Sequence, residues 1–229
     1  MRTMMRSLVF YFLMIIVILL STPQVHAQDL SRYRNFSFGT TVADISKQID
    51  QQPANAAVLY ERPALIEELT WLPIQPYDLS RPAAPVDQIL FSFYNGALYR
   101  MLVTYEGSAT KGLNDEDMIR AVSAKYGVAT RPVAAVVNFP MNPSYKATQR
   151  VIARWEDSQY SLNLLGSSTA DTFAIVMFAK QLDAQAGISI AESVKLDQLE
   201  APQKEAARVK KEADDLEGDR QKNIKTLRP

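Results

Sequence analysis

The sequence predicts an α+β protein whose sheet is mostly antiparallel and is packed against helices. Three observations predict this class: a strong β-hairpin pattern in the middle of the chain, a well-capped helix after it, and the order helix, strands, helix, strands, helix. Strands grouped between helices are typical of α+β proteins, whereas strict alternation of strands and helices indicates a parallel sheet. The composition, with 47% hydrophobic and 22% charged residues, is that of a globular protein.

The first predicted unit is a short strand followed by a helix, at residues 36–50. Its apolar residues recur at the spacing of one helix face, and Thr41 is placed to cap the first turn. Two strand-like runs follow at 57–61 and 65–71. Residues 72–86 contain four prolines, which fix φ and remove hydrogen-bond donors, so a loop is predicted there. In the helix predicted within residues 36–50, the apolar residues of this one face are Val42, Ile45 and Ile49.

A hairpin is predicted at residues 89–105, with its turn at Asn95-Gly96, because this pair accepts the positive φ angles of a two-residue turn. Pairing Tyr94 with Ala97 then fixes the register. Strict alternation would place Ile89, Phe91, Phe93, Leu98, Arg100 and Leu102 on one face. It would place Leu90, Tyr94, Tyr99, Met101 and Val103 on the other. Since the second face is apolar, we expect either packed core or a partner-binding surface there.

The best-defined helix is predicted at residues 112–127. Asn114 is a suitable N-cap, and acidic residues fill the first turn, where the helix dipole favours negative charge. Gly127 stands where a C-terminal cap belongs. Three strands and a helix are predicted to follow, at 150–156, 159–165, 172–179 and from Lys180 onward.

The chain is predicted to form one domain at residues 28–200 and a charged helical tail at 201–229. The halves at about 36–105 and 112–179 each place a helix before antiparallel strands, so they are either copies of a duplicated unit or parts of an unrepeated domain. The tail has too few apolar residues to fold alone. It is therefore either a docking arm or a solvated terminus. Its candidate partner-binding residues, at near-heptad spacing, are Val209, Leu216 and Ile224.

Residues 1–27 have the order of a cleavable export signal. A positively charged start precedes thirteen apolar residues, and Val25 and Ala27 occupy the positions read before a cut at Gln28. The alternative is a retained membrane anchor, but a span needs about 20 apolar residues. We therefore expect a periplasmic or secreted protein with no integral membrane span after cleavage.

Several function classes lose their usual chemistry in this chain. The only histidine, His26, lies in the segment predicted to be removed, and there is no cysteine. Zinc, haem and iron–sulfur sites then lack their common ligands, and nucleophilic catalysis lacks a histidine base. Cleavage also removes Arg2 and Arg6, which leaves 23 basic against 25 acidic residues. Nucleic-acid binding rests on many phosphate contacts, so we expect no nucleic-acid partner, no metal and no cofactor.

Two patterns resemble catalytic motifs, and both have a simpler explanation. Ser108 and Lys111 have the spacing of a Ser-x-x-Lys pair, but a glycine follows at once and the companion Lys-Thr-Gly motif is absent. Paired carboxylates occur at 67–68, 115–117 and 156–157. A glycosidase needs two carboxylates that face each other across a cleft, and neighbouring strand residues point to opposite faces. No residue is predicted to be catalytic.

Five segments resemble a group of uncharacterised exported bacterial proteins, and together they cover most of the chain after the signal. They are FSFGTT at 36–41, ILFSFYNG at 89–96, GLNDED at 112–117, ARWED at 153–157 and EAPQKEA at 200–206. At a coarser level, a Gly-x-Thr helix start followed by antiparallel strands resembles the small periplasmic domains of outer-membrane assembly lipoproteins. That resemblance implies an envelope-associated role, and the lipid-bearing cysteine of those proteins is absent here.

We therefore expect an exported, non-catalytic protein that acts as a protein–protein interaction or envelope-associated module. One alternative is a small-ligand-binding protein with its site between sheet and helices. Another is a carboxylate-dependent hydrolase of cell-wall or carbohydrate material. An exposed apolar patch would favour the interaction module, and a cleft with two facing buried carboxylates would favour the hydrolase.

Overall fold

The structure describes most of the chain after the predicted signal, with several internal gaps. The computed structural model describes residues 29–73, 85–132, 136–137, 149–167 and 172–227. The predicted signal at 1–27 lies outside the described residues, as does most of the loop predicted at 72–86.

The described residues form an α+β fold with one large antiparallel sheet. The ten strands are β1 Arg32–Tyr33, β2 Phe36–Ser37, β3 Ala57–Tyr60, β4 Ile66–Trp71, β5 Val86–Tyr94, β6 Ala97–Tyr105, β7 Val136–Val137, β8 Gln149–Glu156, β9 Tyr160–Ser167 and β10 Phe173–Ala179. Eight of them form a sheet in the order β3-β4-β5-β6-β10-β9-β8-β7, with every neighbouring pair antiparallel. Strands β1 and β2 form a separate hairpin. The predicted fold class is confirmed.

Four α-helices and one 3₁₀ helix are present in the same residues. They are α1 Val42–Gln48, α2 Gly107–Thr110, α3 Asp115–Tyr126, α4 Lys180–Thr226 and the 3₁₀ helix Pro53–Asn55. The single turn of α2 and the two-residue strand β7 lie between the elements that the sequence predicts. Both elements are too short to leave a periodic pattern in the sequence.

The predicted caps of α3 are confirmed. The side chain of Asn114 accepts a hydrogen bond from the backbone N–H of Asp117, and the Asp117 carboxylate accepts one from the backbone N–H of Asn114. Gly127 follows the helix with a φ of 76°, which glycine adopts at little cost. At α1, the Thr41 hydroxyl accepts a hydrogen bond from the N–H of Asp44.

The sheet is symmetric in its strand order. Strands β3 to β6 follow α1 as a four-stranded meander, β7 to β10 follow α3 as another, and the two meanders meet where β6 pairs with β10. This order matches two similar halves joined edge to edge. A duplicated origin for the halves stays a prediction.

The central hairpin has the predicted turn and register. Tyr94 lies opposite Ala97, and both turn residues have positive φ angles, 48° at Asn95 and 79° at Gly96. These are the angles of the turn that matches the twist of paired strands.

The predicted assignment of side chains to the two faces is wrong beyond this turn. Phe93 pairs with Leu98 and Ser92 with Arg100, which leaves Tyr99 as an extra residue in a β-bulge. A bulge shifts the alternation of side chains by one position. Met101 and Val103 therefore share a face with Ile89, Phe91, Phe93 and Leu98, whereas Arg100 and Leu102 share the other with Leu90 and Tyr99.

The main core lies on the face that carries Phe91, Met101 and Val103. The hairpin of β1 and β2 and the helices α1 and α3 cover this face, and Ile45, Met118 and Phe36 are among the side chains that they bury. The rings of Phe36 and Phe91 meet edge to face with centroids 4.9 Å apart. On the opposite face, Leu182, Ala186 and Ile190 of α4 pack against Ile66 and Tyr99.

Helix α4 is continuous over 47 residues, with Pro202 inside it. At 1.5 Å per residue it is about 70 Å long. The tail predicted to begin at residue 201 is therefore the second half of one helix and does not begin as a separate element. The predicted boundary at 201 follows a change in composition, and this change does not interrupt the helix. Pro202 lacks the N–H that would bond to the carbonyl four residues earlier, and the helix continues through it.

Candidate functional site

The second half of α4 is an exposed arm. Every residue from 201 to 227 is exposed to solvent, including Val209, Leu216 and Ile224, which are 51%, 73% and 43% exposed. In the described structure the hydrogen bonds and ion pairs of residues 205–227 stay within the helix. We call this segment, 205–227, the arm.

The helix is attached to the domain up to the start of the arm. The Ser193 hydroxyl donates a hydrogen bond to the backbone carbonyl of Arg62, at 2.6 Å, and the Arg62 guanidinium binds the Glu200 carboxylate. Lys204 lies 3.1 Å from Asp197 and 3.3 Å from Glu200. The contacts of Ser193 and Glu200 with Arg62 hold α4 against the loop after β3, and those of Lys204 stay within α4 beside them.

An apolar seam runs along the arm. Residues at alternating steps of three and four recur on one face of a helix that supercoils with a partner. Such a series runs through Ala206, Val209, Ala213 and Leu216. Leu199 lies on the same face one heptad before Ala206, and Pro202 occupies the seam position between them. The sequence prediction named only Val209, Leu216 and Ile224. It missed the two alanines, which complete the heptad spacing, and Ile224 lies beside the seam.

The flanks of this seam are mainly acidic. With Ala206 and Ala213 taken as position a of the heptad, the flanking g positions are Glu205, Glu212 and Asp219. The flanking e positions from 210 to 217 are Lys210 and Glu217. Four carboxylates and one ammonium group therefore border the seam over these heptads. Flanking charges of this kind select the partner of a coiled coil.

The hairpin residues predicted as a partner-binding surface do not form one. Met101 and Val103 are fully buried in the main core. Leu90 and Tyr99 are 6% and 1% exposed in two different clusters on the opposite face, and Tyr94 is half-buried beside Tyr99. The bulge separates the five side chains, and packing within the domain covers four of them.

A cavity of about 310 Å³ lies between the β1–β2 hairpin, the end of β6, and the helices α2 and α3. Three tyrosines line it: Tyr33, Tyr105 and Tyr126. The hydroxyls of Tyr33 and Tyr105 are within hydrogen-bonding reach of each other. Burial raises the pKa of all three, that of Tyr126 to about 12, so their hydroxyls stay protonated near neutral pH. The remaining walls are mostly apolar, with Leu113, Met118, Val122 and Ile175 among them.

Two cations stand at the rim of this cavity. The Lys125 ammonium lies 5.0 Å from the ring centroid of Tyr126 and 5.8 Å from that of Tyr33. The Arg34 guanidinium lies 5.4 Å from the Tyr33 centroid. These are distances at which a cation is attracted to an aromatic face. Among the described residues, neither cation forms a salt bridge with a carboxylate.

A buried polar cluster lies on the other face of the sheet. Glu68, Ser92 and Arg100 are neighbours on β4, β5 and β6, and Asp183 reaches them from the first turn of α4. The Ser92 hydroxyl donates to Glu68 at 3.2 Å. Burial raises the pKa of Glu68 to about 7, against the opposing effects of the Ser92 hydrogen bond and the Arg100 charge. Burial also raises the pKa of Asp183, which Arg100 partly offsets.

This cluster does not have the geometry of a hydrolase. Arg100 lies next to both carboxylates, and its pairing with Asp183 stabilises the ionised form of that group. Neither Glu68 nor Asp183 lines the tyrosine cavity or the cavity between β3 and α4. A glycosidase needs two carboxyl groups open to a substrate between them.

The other predicted carboxylate pairs are engaged in surface ion pairs. Asp115 lies 2.6 Å from Arg150, Glu116 lies 2.6 Å from Arg131, and Glu156 lies 2.9 Å from Lys180. In the part of the chain that the structure describes, no group of three or more metal-binding side chains is placed to hold an ion.

The Ser-x-x-Lys pattern does not bring its two ends together for catalysis. Ser108 lies in α2 and its hydroxyl bonds to the carboxylate of Glu106. Lys111 is exposed just after the helix.

Comparisons with known proteins give no neighbour for this fold or site. No protein-family model matches the sequence, and searches of curated proteins and of solved structures also return no match. Within the described residues, each helix is too short or too polar to cross a membrane.

Proposed function

We propose that this protein is an exported, non-catalytic interaction module whose arm binds a helix of a partner protein. The observation that carries the proposal is the exposed heptad seam of the arm, which continues helix α4 beyond its last contact with the domain. The signal pattern at residues 1–27 supports the exported location.

The length and isolation of the arm support this role. Most of the stability of helices in proteins comes from packing an apolar face on something else. The arm has no such packing in the described structure, yet Ala206, Val209, Ala213 and Leu216 lie on one face. Association with another helix would bury that face and remove exposed Leu216 and Val209 from water.

Charge indicates what kind of helix the arm accepts. In a parallel pair of arms from two copies of this chain, Glu212 would face Glu217, while Glu205 would face the opposite charge of Lys210. In an antiparallel pair the three acidic g positions would face one another. Like charges at these positions disfavour self-association. A partner helix with an apolar seam bordered by lysine or arginine would instead complement Glu205, Glu212, Glu217 and Asp219.

The experiment uses a designed helix as the probe. A labelled peptide of about three heptads would carry leucine and alanine in its seam and lysine at its flanks, and a companion peptide would carry glutamate at the flanks. We expect the full-length protein to bind the basic peptide at least tenfold more tightly than the acidic one, as measured by fluorescence anisotropy.

The control variants separate the seam from the charge. Val209→Glu with Leu216→Glu places two carboxylates in the seam and should abolish binding. Ala201→Glu with Ala207→Glu adds the same charge on other faces of the same helix and should preserve binding. The proposal is wrong if both double variants bind equally well. A dimer of the full-length protein that the seam variant dissociates would instead show that the occupant is a second copy of this chain.

A further inference from the structure

The tyrosine cavity has features that the proposed interaction role does not use. It lies on the α1–α3 face of the sheet, whereas the arm continues from α4 on the opposite side. Its volume of about 310 Å³ is at the lower end of the range for small-molecule sites, roughly 300–1,000 Å³. A largely apolar wall with a few polar groups is also typical of such sites.

The two cations at the rim of the cavity, Arg34 and Lys125, form no salt bridge among the described residues. Asp29, which precedes the β1–β2 hairpin, pairs with Arg32 and accepts hydrogen bonds from the backbone N–H and the hydroxyl of Ser31. The Asp29 carboxylate is therefore already paired, and Arg34 and Lys125 lie over aromatic rings. An anion at the rim would lie close to both cations.

One polar group in the wall lacks a partner. Tyr126 is 8% exposed, it lines the cavity, and its hydroxyl has no hydrogen-bond partner in the described structure. Leaving a buried hydroxyl unpaired is unfavourable, because it has lost its hydrogen bonds to water. Because burial holds the pKa of Tyr126 at about 12, this hydroxyl remains a donor and can satisfy an acceptor atom of a bound molecule.

We infer that the cavity binds a small amphiphilic carboxylate, a molecule with a short apolar body and one anionic group. The body would fill the space between Met118, Val122 and Ile175, and the carboxylate would lie at the rim near Arg34 and Lys125. A neutral molecule of the same body would gain the apolar contacts but not the charge contacts. A cationic one would be repelled at the rim.

The test uses three probes with the same ten-carbon chain: decanoate, decanol and decyltrimethylammonium. Isothermal titration calorimetry of the full-length protein should show saturable binding of decanoate at one site. We expect decanol to bind more weakly and the cationic probe not to bind. Lys125→Gln should weaken decanoate about threefold to fivefold, which corresponds to the strength of one exposed charge pair, and should leave decanol unchanged.

Two further variants keep the test decisive. Lys47 is an exposed lysine in the last turn of α1, as Lys125 is in α3, so Lys47→Gln should not affect decanoate. Ala121 is exposed at the cavity wall, and Ala121→Trp should block both decanoate and decanol while leaving thermal unfolding unchanged. Equal affinity for decanoate and decanol, or binding that survives Ala121→Trp, would overturn the inference, as would the absence of saturable decanoate binding.

Discussion

Arg100 and Asp183 join the sheet to the long helix. The Nε of Arg100 on β6 donates a hydrogen bond to Oδ1 of Asp183 in the first turn of α4, at 2.7 Å. The two side chains are only 21% and 19% exposed. A carboxylate in this position is also favoured by the helix dipole. The pair therefore fixes the N-terminal end of α4 to the sheet, and the arm forms the other end of the same helix.

We expect the loss of this ion pair to destabilise the domain. Arg100→Leu would leave Asp183 mostly buried without its partner, and breaking a buried pair costs about 3 kcal/mol. Arg208→Leu removes an exposed pair with Glu205 in the arm and should cost less than about 1 kcal/mol. Urea unfolding of both variants measures the difference. Equal midpoints would show that Arg100 and Asp183 do not fix α4 to the sheet.

Glu68 should make the protein less stable as the pH rises from about 4.5 to about 7. Its folded-state pKa is raised above the unfolded value, so the folded state holds the proton in this range while the unfolded state releases it. Stability from this group is therefore complete below the unfolded pKa and is lost as the pH passes through the folded pKa. The loss would reach up to about 3 kcal/mol.

Glu68→Gln should remove this pH dependence. Other carboxylates, such as Glu156, have lowered pKa values and give the opposite slope, so the informative quantity is the difference between the variant and the unmodified protein. We expect the variant to be the more stable of the two at pH 8, with the difference shrinking at pH 4. Parallel stability curves at every pH would mean that the pKa of Glu68 is the same in the folded and unfolded states.

Gly96→Val should destabilise the hairpin, because a β-branched residue is strained at a φ of 79°. The expected cost is about 1–3 kcal/mol. Gly107→Val is the matched control, since a Cβ atom at either glycine meets nothing within 4 Å and Gly107 does not have a positive φ. Thermal unfolding should therefore distinguish the two. If both variants unfold alike, backbone strain at the turn is not what limits substitution there.

A chain that ends at Lys204 should fold with an unchanged melting temperature. Glu200 binds Arg62 of the domain, and Lys204 pairs with Glu200 and Asp197 within α4. The residues after Lys204 are exposed. Circular dichroism should show a loss of helix in the truncated chain while the thermal midpoint stays the same. A midpoint lowered by several degrees would show that the arm packs against the domain.

The features predicted best from the sequence are those that depend on neighbouring residues. The turn at Asn95 and Gly96 and the capping box of Asn114 and Asp117 depend on local backbone chemistry, and the structure contains both. The bulge at Tyr99 could not be predicted in this way. Its side chain packs with Ile66 and Ala186, which are distant in sequence.

The candidate sites show the same division. The seam of the arm is periodic, so most of it could be read from the sequence, although alanine was overlooked as a seam residue. The continuity of α4 through Pro202 could not be predicted, because proline in a helix interior usually kinks or breaks the helix. Tyr33, Tyr105 and Tyr126 come from three separate elements, and no spacing in the sequence indicates that they share a cavity.

Hydrogen exchange of the arm tests the central proposal most directly. Alone, the amides of residues 205–227 should exchange rapidly, because the arm lacks tertiary contacts and opens easily. With the basic heptad peptide added, we expect protection confined to the seam region, residues 199–216, and no protection with the acidic peptide. An arm that is already protected in the free protein at all concentrations, or one that neither peptide protects, would contradict the proposal that it binds a partner helix.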